Sequence, residues 1–104
     1  MLLSTLQTVP NKQFEVLGLV EGSTVQSKHI GRDLGASFKT IVGGELKGYT
    51  EMLEEARKQA TDRVIQQAFA LGADAVIGIH YSSSAVMQGA SEILCYGTAV
   101  KFIS

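Results

Sequence analysis

The period of the apolar residues divides the chain into segments that call for different backbones. Phe14-Glu15-Val16-Leu17-Gly18-Leu19-Val20-Glu21-Gly22-Ser23-Thr24-Val25 is dense in branched and aromatic residues and holds no proline. That predicts one long strand, bulged at Gly18 or Gly22 where no side chain supports regular pairing. Pro10-Asn11-Lys12 ahead of it is turn chemistry, and Leu2 to Leu6 has the make-up of a short strand. The period then changes. Ile30, Leu34, Phe38 and Ile41 recur at spacings of four, four and three, a helical stripe that Gly43-Gly44 ends. A longer helix is predicted from Tyr49 to Leu71, with Tyr49, Met52, Leu53, Ala56, Ala60, Val64, Ala68 and Leu71 on its stripe and Gly72 as its stop. Glu51, Glu54 and Glu55 fall in its first turns, where the helix dipole favours anions. Its seam of alanines lets another backbone come close. Beyond Gly72-Ala73-Asp74, Ala75 to Ser82 and Ser91 to Phe102 suit extended structure, and the polar stretch from Ser82 to Gly89 joins them as a hairpin.

The predicted order is therefore β-α-α-β-β. It describes an α+β subunit, a single domain over residues 1–104, with a small three-stranded sheet covered by two helices. Such a sheet has two open edges and two faces, and two helices on this scale cover one face. Yet Val76, Ile77 and Ile79 place apolar groups on both sides of one strand, and Ile93 with Leu94 does the same on the next. Strands apolar on both sides are buried on both sides. Copies of the chain are expected to supply the second cover and to pair the edges, so the partner is the chain itself, in a homo-oligomer.

Several stretches together resemble the YbjQ-like family of small bacterial and archaeal proteins. They are Arg32-Asp33, Val42-Gly43-Gly44, Tyr49, Ala56-Arg57 with Ala60, Leu71-Gly72-Ala73-Asp74-Ala75-Val76 with Gly78, and Gly97-Thr98-Ala99-Val100. The likeness runs through nearly the whole chain in order. It departs after the paired glycines, where Glu45-Leu46 replaces the arginine and small polar residue usual in the family. The resemblance implies a subunit that closes with its copies into a ring, a homopentamer, and it brings a label of heavy-metal binding.

Composition narrows the partners. Nine Lys and Arg against ten Asp and Glu give a net charge of -1 and no basic cluster, so no phosphate-pairing stripe exists and nucleic acid is not expected. No apolar run approaches the roughly 18 residues of a membrane span. Met1-Leu2-Leu3-Ser4 lacks the basic head and long apolar body of a secretory signal, so a cytoplasmic location is expected. One cysteine cannot close an internal disulfide, and two histidines cannot make a conventional zinc finger.

Candidate chemistry is sparse. Transition metals take imidazole, thiolate and carboxylate in a converging shell, and His29, His80 and Cys95 carry no CxxC or HxxxH spacing. A hairpin centred near Val86 to Gln88 would set His80 opposite position 94 or 95. In the second register His80 and Cys95 share a face, two ligands for a transition metal ion, with any third coming from a neighbouring copy. Gly43-Gly44-Glu45-Leu46-Lys47-Gly48 precedes a helix, where free N–H groups bind anions. It lacks the Lys-Ser/Thr of a nucleotide loop, leaving Gly43, Gly44, Lys47 and Gly48 as a candidate anion or carboxylate site or a plain glycine turn. Tyr49, Arg57 and Arg32 are candidate subunit contacts, Arg57 lying at the margin of the apolar stripe where arginine pairs with carboxylates. Asp74, at a helix-to-strand junction, suits capping of the turn backbone. Ser82-Ser83-Ser84 has no nucleophile elbow and no carboxylate pair stands out, so an enzyme is not expected. Three readings follow in order: a ring-forming homo-oligomer that binds a small ligand or ion, a heavy-metal-binding protein using His80 and Cys95, and an enzyme with an intersubunit site.

Overall fold

The structure, a computed structural model, describes residues 1–27, 41–42 and 45–103. Their elements are β1 (Leu2–Leu3), β2 (Phe14–Ser27), β3 (Ile41–Val42), β4 (Glu45–Leu46), α1 (Lys47–Ala70), β5 (Ala75–Met87) and β6 (Ala90–Phe102). The sheet order is β1-β5-β6-β2, with β3 and β4 as a separate two-stranded unit. β1 runs parallel to β5, and the other pairs are antiparallel.

This corrects the expected α+β class of a three-stranded sheet with two helices in the order β-α-α-β-β. Leu2–Leu3 adds a fourth, parallel strand, so the sheet is mixed, and α1 is the single helix among the described residues. The first predicted helix reached Ile41, but Ile41 and Val42 pair with Leu46 and Glu45 as strands. Two β-branched residues before Gly-Gly make a hairpin signal, and here it outweighs the helix-stop reading of the same glycines. The rest of that predicted helix, with Arg32, lies outside the described residues.

α1 starts two residues before Tyr49, so its first turn holds no acidic residue. Its end is a Schellman motif: Ala73 N–H donates to Ala68 O at 3.0 Å, Gly72 N–H donates to Phe69 O at 3.0 Å, and Gly72 takes φ 78°. Ala56, Ala60, Val64 and Ala68, four residues apart on one face, are fully buried against the sheet. Their small size permits the helix to sit on β2 at Gly22, where an added Cβ would lie 2.5 Å from the Ala60 carbonyl oxygen. Gly22 thus serves the helix contact, and the bulge falls between Val16 and Gly18. Thr24 Oγ1 donates to Ala56 O at 3.0 Å, so this buried polar side chain on the seam is satisfied.

The second face is partly covered by the chain's own start. Ser4 N–H donates to Val76 O, Ile79 N–H to Ser4 O and Gly78 N–H to Leu6 O, lacing residues 4–6 to the edge of β5. Val9, Phe14 and Phe102 pack over Ala75, Ile77 and Val100. Beyond this cover, from His80 to Met87, β5 is exposed.

Candidate functional site

Cross-strand partners share a face, so the register lays out the uncovered part of the sheet in rows. His80 stands opposite Tyr96, and Tyr96 opposite Glu21, one row across three strands. The next row toward the hairpin tip is Ser82, Leu94 and Ser23, and the one after it Ser84, Glu92 and Val25. The face is a shallow mixture of imidazole, phenol, carboxylate and hydroxyl groups set among Leu94, Val25 and Leu19.

The register that would have put His80 opposite Cys95 is not the one formed. Cys95 pairs with Tyr81, one residue away. Two local features cause this. The turn is Gln88-Gly89, further along than the predicted loop centre, and shifts lie between Ala85 and Met87 and between Ile77 and His80. Each extra residue moves every side chain beyond it to the other face. His80 therefore projects from the open face, while Cys95 is fully buried beneath α1 with Ala56, Ala60 and Val64. Among the described residues no group of three His, Cys, Asp or Glu side chains gathers to hold a metal.

The two candidates differ in chemistry as well as place. His80 Nδ1 lies 2.8 Å from Gly78 O, and its ring stacks on Tyr96 with centroids 5.7 Å apart at 19°. A neutral imidazole that donates Nδ1–H to that carbonyl keeps its Nε2 lone pair for a ligand, the arrangement by which a backbone oxygen orients metal-binding histidines. Cys95 faces Tyr81 and Thr61, whose hydroxyls lie 2.7 Å apart. Burial pushes its thiol up from 9.0, against the opposing pull of hydrogen bonds from those two side chains. A protonated, enclosed thiol is a poor thiolate donor.

A pH test follows. The folded thiol titrates above the unfolded one, so its contribution to stability is complete below pH 9.0 and is lost as pH rises from there through the folded value. Unfolding free energy is expected to fall with pH above about 9 in the wild type, and Cys95→Ala should flatten that slope. A thiol reagent should label the native protein only at the rate of unfolding. Equal slopes in the two proteins, or rapid native labelling, would count against the buried-thiol assignment.

The other predicted positions scatter. Gly43 and Gly44 lie outside the described residues, and Lys47 and Gly48 open α1 directly after β4. Tyr49 is half-buried in the first turn, and Arg57 is exposed on the outer side of α1. The Asp74 carboxylate accepts from Phe102 N–H at 2.8 Å, so it holds the end of β6 rather than the turn it was expected to cap. Glu21 and Tyr96 were not singled out from sequence, because only the register brings them into line with His80. A separate cleft of about 560 Å³ lies between α1 and β2, lined by Glu21, Ser23, Arg63, Gln66 and Gln67 among others. Arg63 donates there to the Ser23 carbonyl, and Gln67 Oε1 accepts from Glu21 N–H at 2.9 Å. Arg63 and Gln67 thus tie helix to strand.

A family model, YbjQ_1, described as "Putative heavy-metal-binding", matches residues 1–103. The chain is 59% identical over 102 residues to a UPF0145 protein of Thermotoga maritima, covering 97% of this chain and 96% of that one. It is 63% identical over 93 residues to a UPF0145 protein of Helicobacter hepaticus, 89% of this chain and 90% of that one. Its fold is similar to the crystal structure of a protein of unknown function in the DUF74 family from Pediococcus pentosaceus. That match has a TM-score of 0.66 at 17% identity, over 99% of this chain and 98% of that one, a likeness of fold alone.

Proposed function

The chain belongs to the YbjQ-like family, whose description reads "Putative heavy-metal-binding", and from that premise we propose that it is a homo-oligomeric protein that binds a small ligand or ion where its copies meet. One observation carries the reading: among the described residues the sheet has an edge strand on each side, β2 being held by α1 side chains at Glu21 and Ser23, and the two flank a partly apolar face. β2 is an edge strand of 14 residues. At the other side β1 pairs only with Ala75 and Val76 and the N-terminal segment reaches only Ile79, so β5 is open from His80 onward among the described residues. Leu19 and Val25 on the face between them are 68% and 59% exposed. The radius of gyration, 17.0 Å, exceeds the about 13 Å of a compact domain of this length.

β2 and β5 are both antiparallel to β6, so they run parallel to each other. A rotated copy can lay its β2 beside β5 of the next without reversing direction, a head-to-tail contact that closes into a ring. Tyr49 and Arg57 then serve as contacts on the helical side, and five copies is the count the family resemblance implies. Binding is favoured over catalysis because His80 leans on a backbone carbonyl and Cys95 on hydroxyls, neither being a nucleophile paired with a base. No helix among the described residues is long and apolar enough to cross a membrane.

Native mass spectrometry of untagged protein tests this. A closed ring, five subunits, with a retained ion or small molecule is the expected result. A monomer at micromolar concentration overturns it.

A further inference from the structure

We infer that the cleft between α1 and β2 is a binding site for an amino-acid-sized zwitterion, a molecule with one ammonium and one carboxylate group. All the groups it uses belong to one copy, so the site goes beyond the ring and does not depend on it. Its construction, its charges and its floor support this.

One close contact builds the cleft. Gly22 has no side chain, and a Cβ added there would lie 2.6 Å from Arg63 Cβ, so the arginine leaves α1 directly over the strand. Its guanidinium donates through Nη1 to Ser23 O. Gln67, four residues on and on the same flank of α1, accepts from Glu21 N–H at 2.9 Å. These two ties fix the walls of a space of about 560 Å³, within the size range of small-molecule sites. A guanidinium carries five donors in a planar fork, so Arg63 keeps donors for a carboxylate while it holds the strand.

The charges in the cleft form one pair of opposite sign. Among the described residues that line it, only Glu21 and Arg63 are charged. The Glu21 carboxylate and the Gln66 amide make no hydrogen bond or ion pair among the described residues, so both can turn to a ligand. A plain anion is repelled by Glu21 and a plain cation by Arg63, whereas a molecule with both charges is attracted at both ends. Glu21 and Ser23, where Arg63 is anchored, stand two strand residues apart, about 6.8 Å. An α-amino acid has its nitrogen and carboxyl carbon about 2.5 Å apart, and a charged hydrogen bond of about 2.8 Å at each end lets it bridge that span. Leu94, the half-buried cross-strand partner of Ser23, gives an apolar floor for the side chain.

Calorimetric titration of the full chain with leucine, N-acetyl-leucine and leucinamide tests the assignment, with native mass spectrometry of each sample. Leucine is expected to bind at least about tenfold (1.4 kcal/mol) more tightly than either analogue, because each analogue lacks one of the two charges. Glu21→Gln should weaken leucine by a similar factor, leave N-acetyl-leucine unchanged and keep the wild-type thermal midpoint. Equal affinity for the three compounds overturns the site, as does a Glu21→Gln variant that binds leucine like the wild type. No binding of leucine up to about 10 mM also overturns it and leaves the ring standing. A monomeric wild type that binds leucine overturns the ring and leaves this site standing.

Discussion

Replacing Gly22 with valine is expected to lower the thermal midpoint by about 12–24 °C, the largest effect of any single substitution considered for this chain. The first atom of any side chain at position 22 would stand 2.5 Å from the Ala60 carbonyl oxygen, 2.6 Å from Arg63 Cβ and 3.1 Å from the Val64 amide nitrogen. Two of these three are helix backbone, which cannot rotate aside as a side chain can. Relief therefore requires α1 to lift from β2. Lifting would loosen the buried row Ala56, Ala60, Val64 and Ala68 and stretch the Thr24–Ala56 hydrogen bond of 3.0 Å. Overpacking of a close contact costs about 1–3 kcal/mol, and a backbone clash belongs at the upper end. At roughly 4–8 °C per kcal/mol for a domain of this size, about 3 kcal/mol gives the stated shift. Gly22→Ala should show a smaller loss in the same direction. A valine variant that melts with the wild type would show that the helix does not approach the strand this closely.

Gly97→Ala is expected to cost about 2 kcal/mol, read as a lower denaturant midpoint at unchanged slope. A Cβ there would meet Val76 Cγ1 at 2.8 Å, Ile77 O at 3.0 Å and Ile79 Cγ1 at 3.1 Å. The position faces the bulged stretch of β5, where Gly78 adopts φ 62° and the register slips between Ile77 and His80. Crowding this point presses on the feature that decides which face His80 occupies. If its stability matches the wild type, Gly97 is not needed for the packing of the bulge.

Much of the fold was legible in the chain because it rests on local signals. The density of β-branched residues from Phe14 onward marked β2, and the alanine-rich stripe ending at Gly72 marked α1 to within two residues at its start. The helix stop was readable because a left-handed residue there is a backbone requirement that glycine meets. Asp74 was expected to cap its own turn, but its partner, the Phe102 N–H, is 28 residues away and is brought there by strand pairing. Leu2–Leu3 was harder to place. Two residues make a strand only when β5 is there to receive them, so the fourth strand and the mixed sheet follow from tertiary pairing.

The candidate site was half legible. His80 could be picked out as one of two histidines, but its companion could not. Pairing alternates faces with every residue, so an error of one in the hairpin exchanges the whole set of neighbours. The chain alone determined its family, its long strand, its long helix and the helix stop, because propensity, periodicity and glycine chemistry act over a few residues. Tertiary structure decided that the turn sits at Gln88-Gly89, that two register shifts interrupt β5, and that Tyr96 rather than Cys95 stands opposite His80. Those choices depend on how helix, strands and N-terminal segment pack at once, and no stretch of residues carries that information by itself.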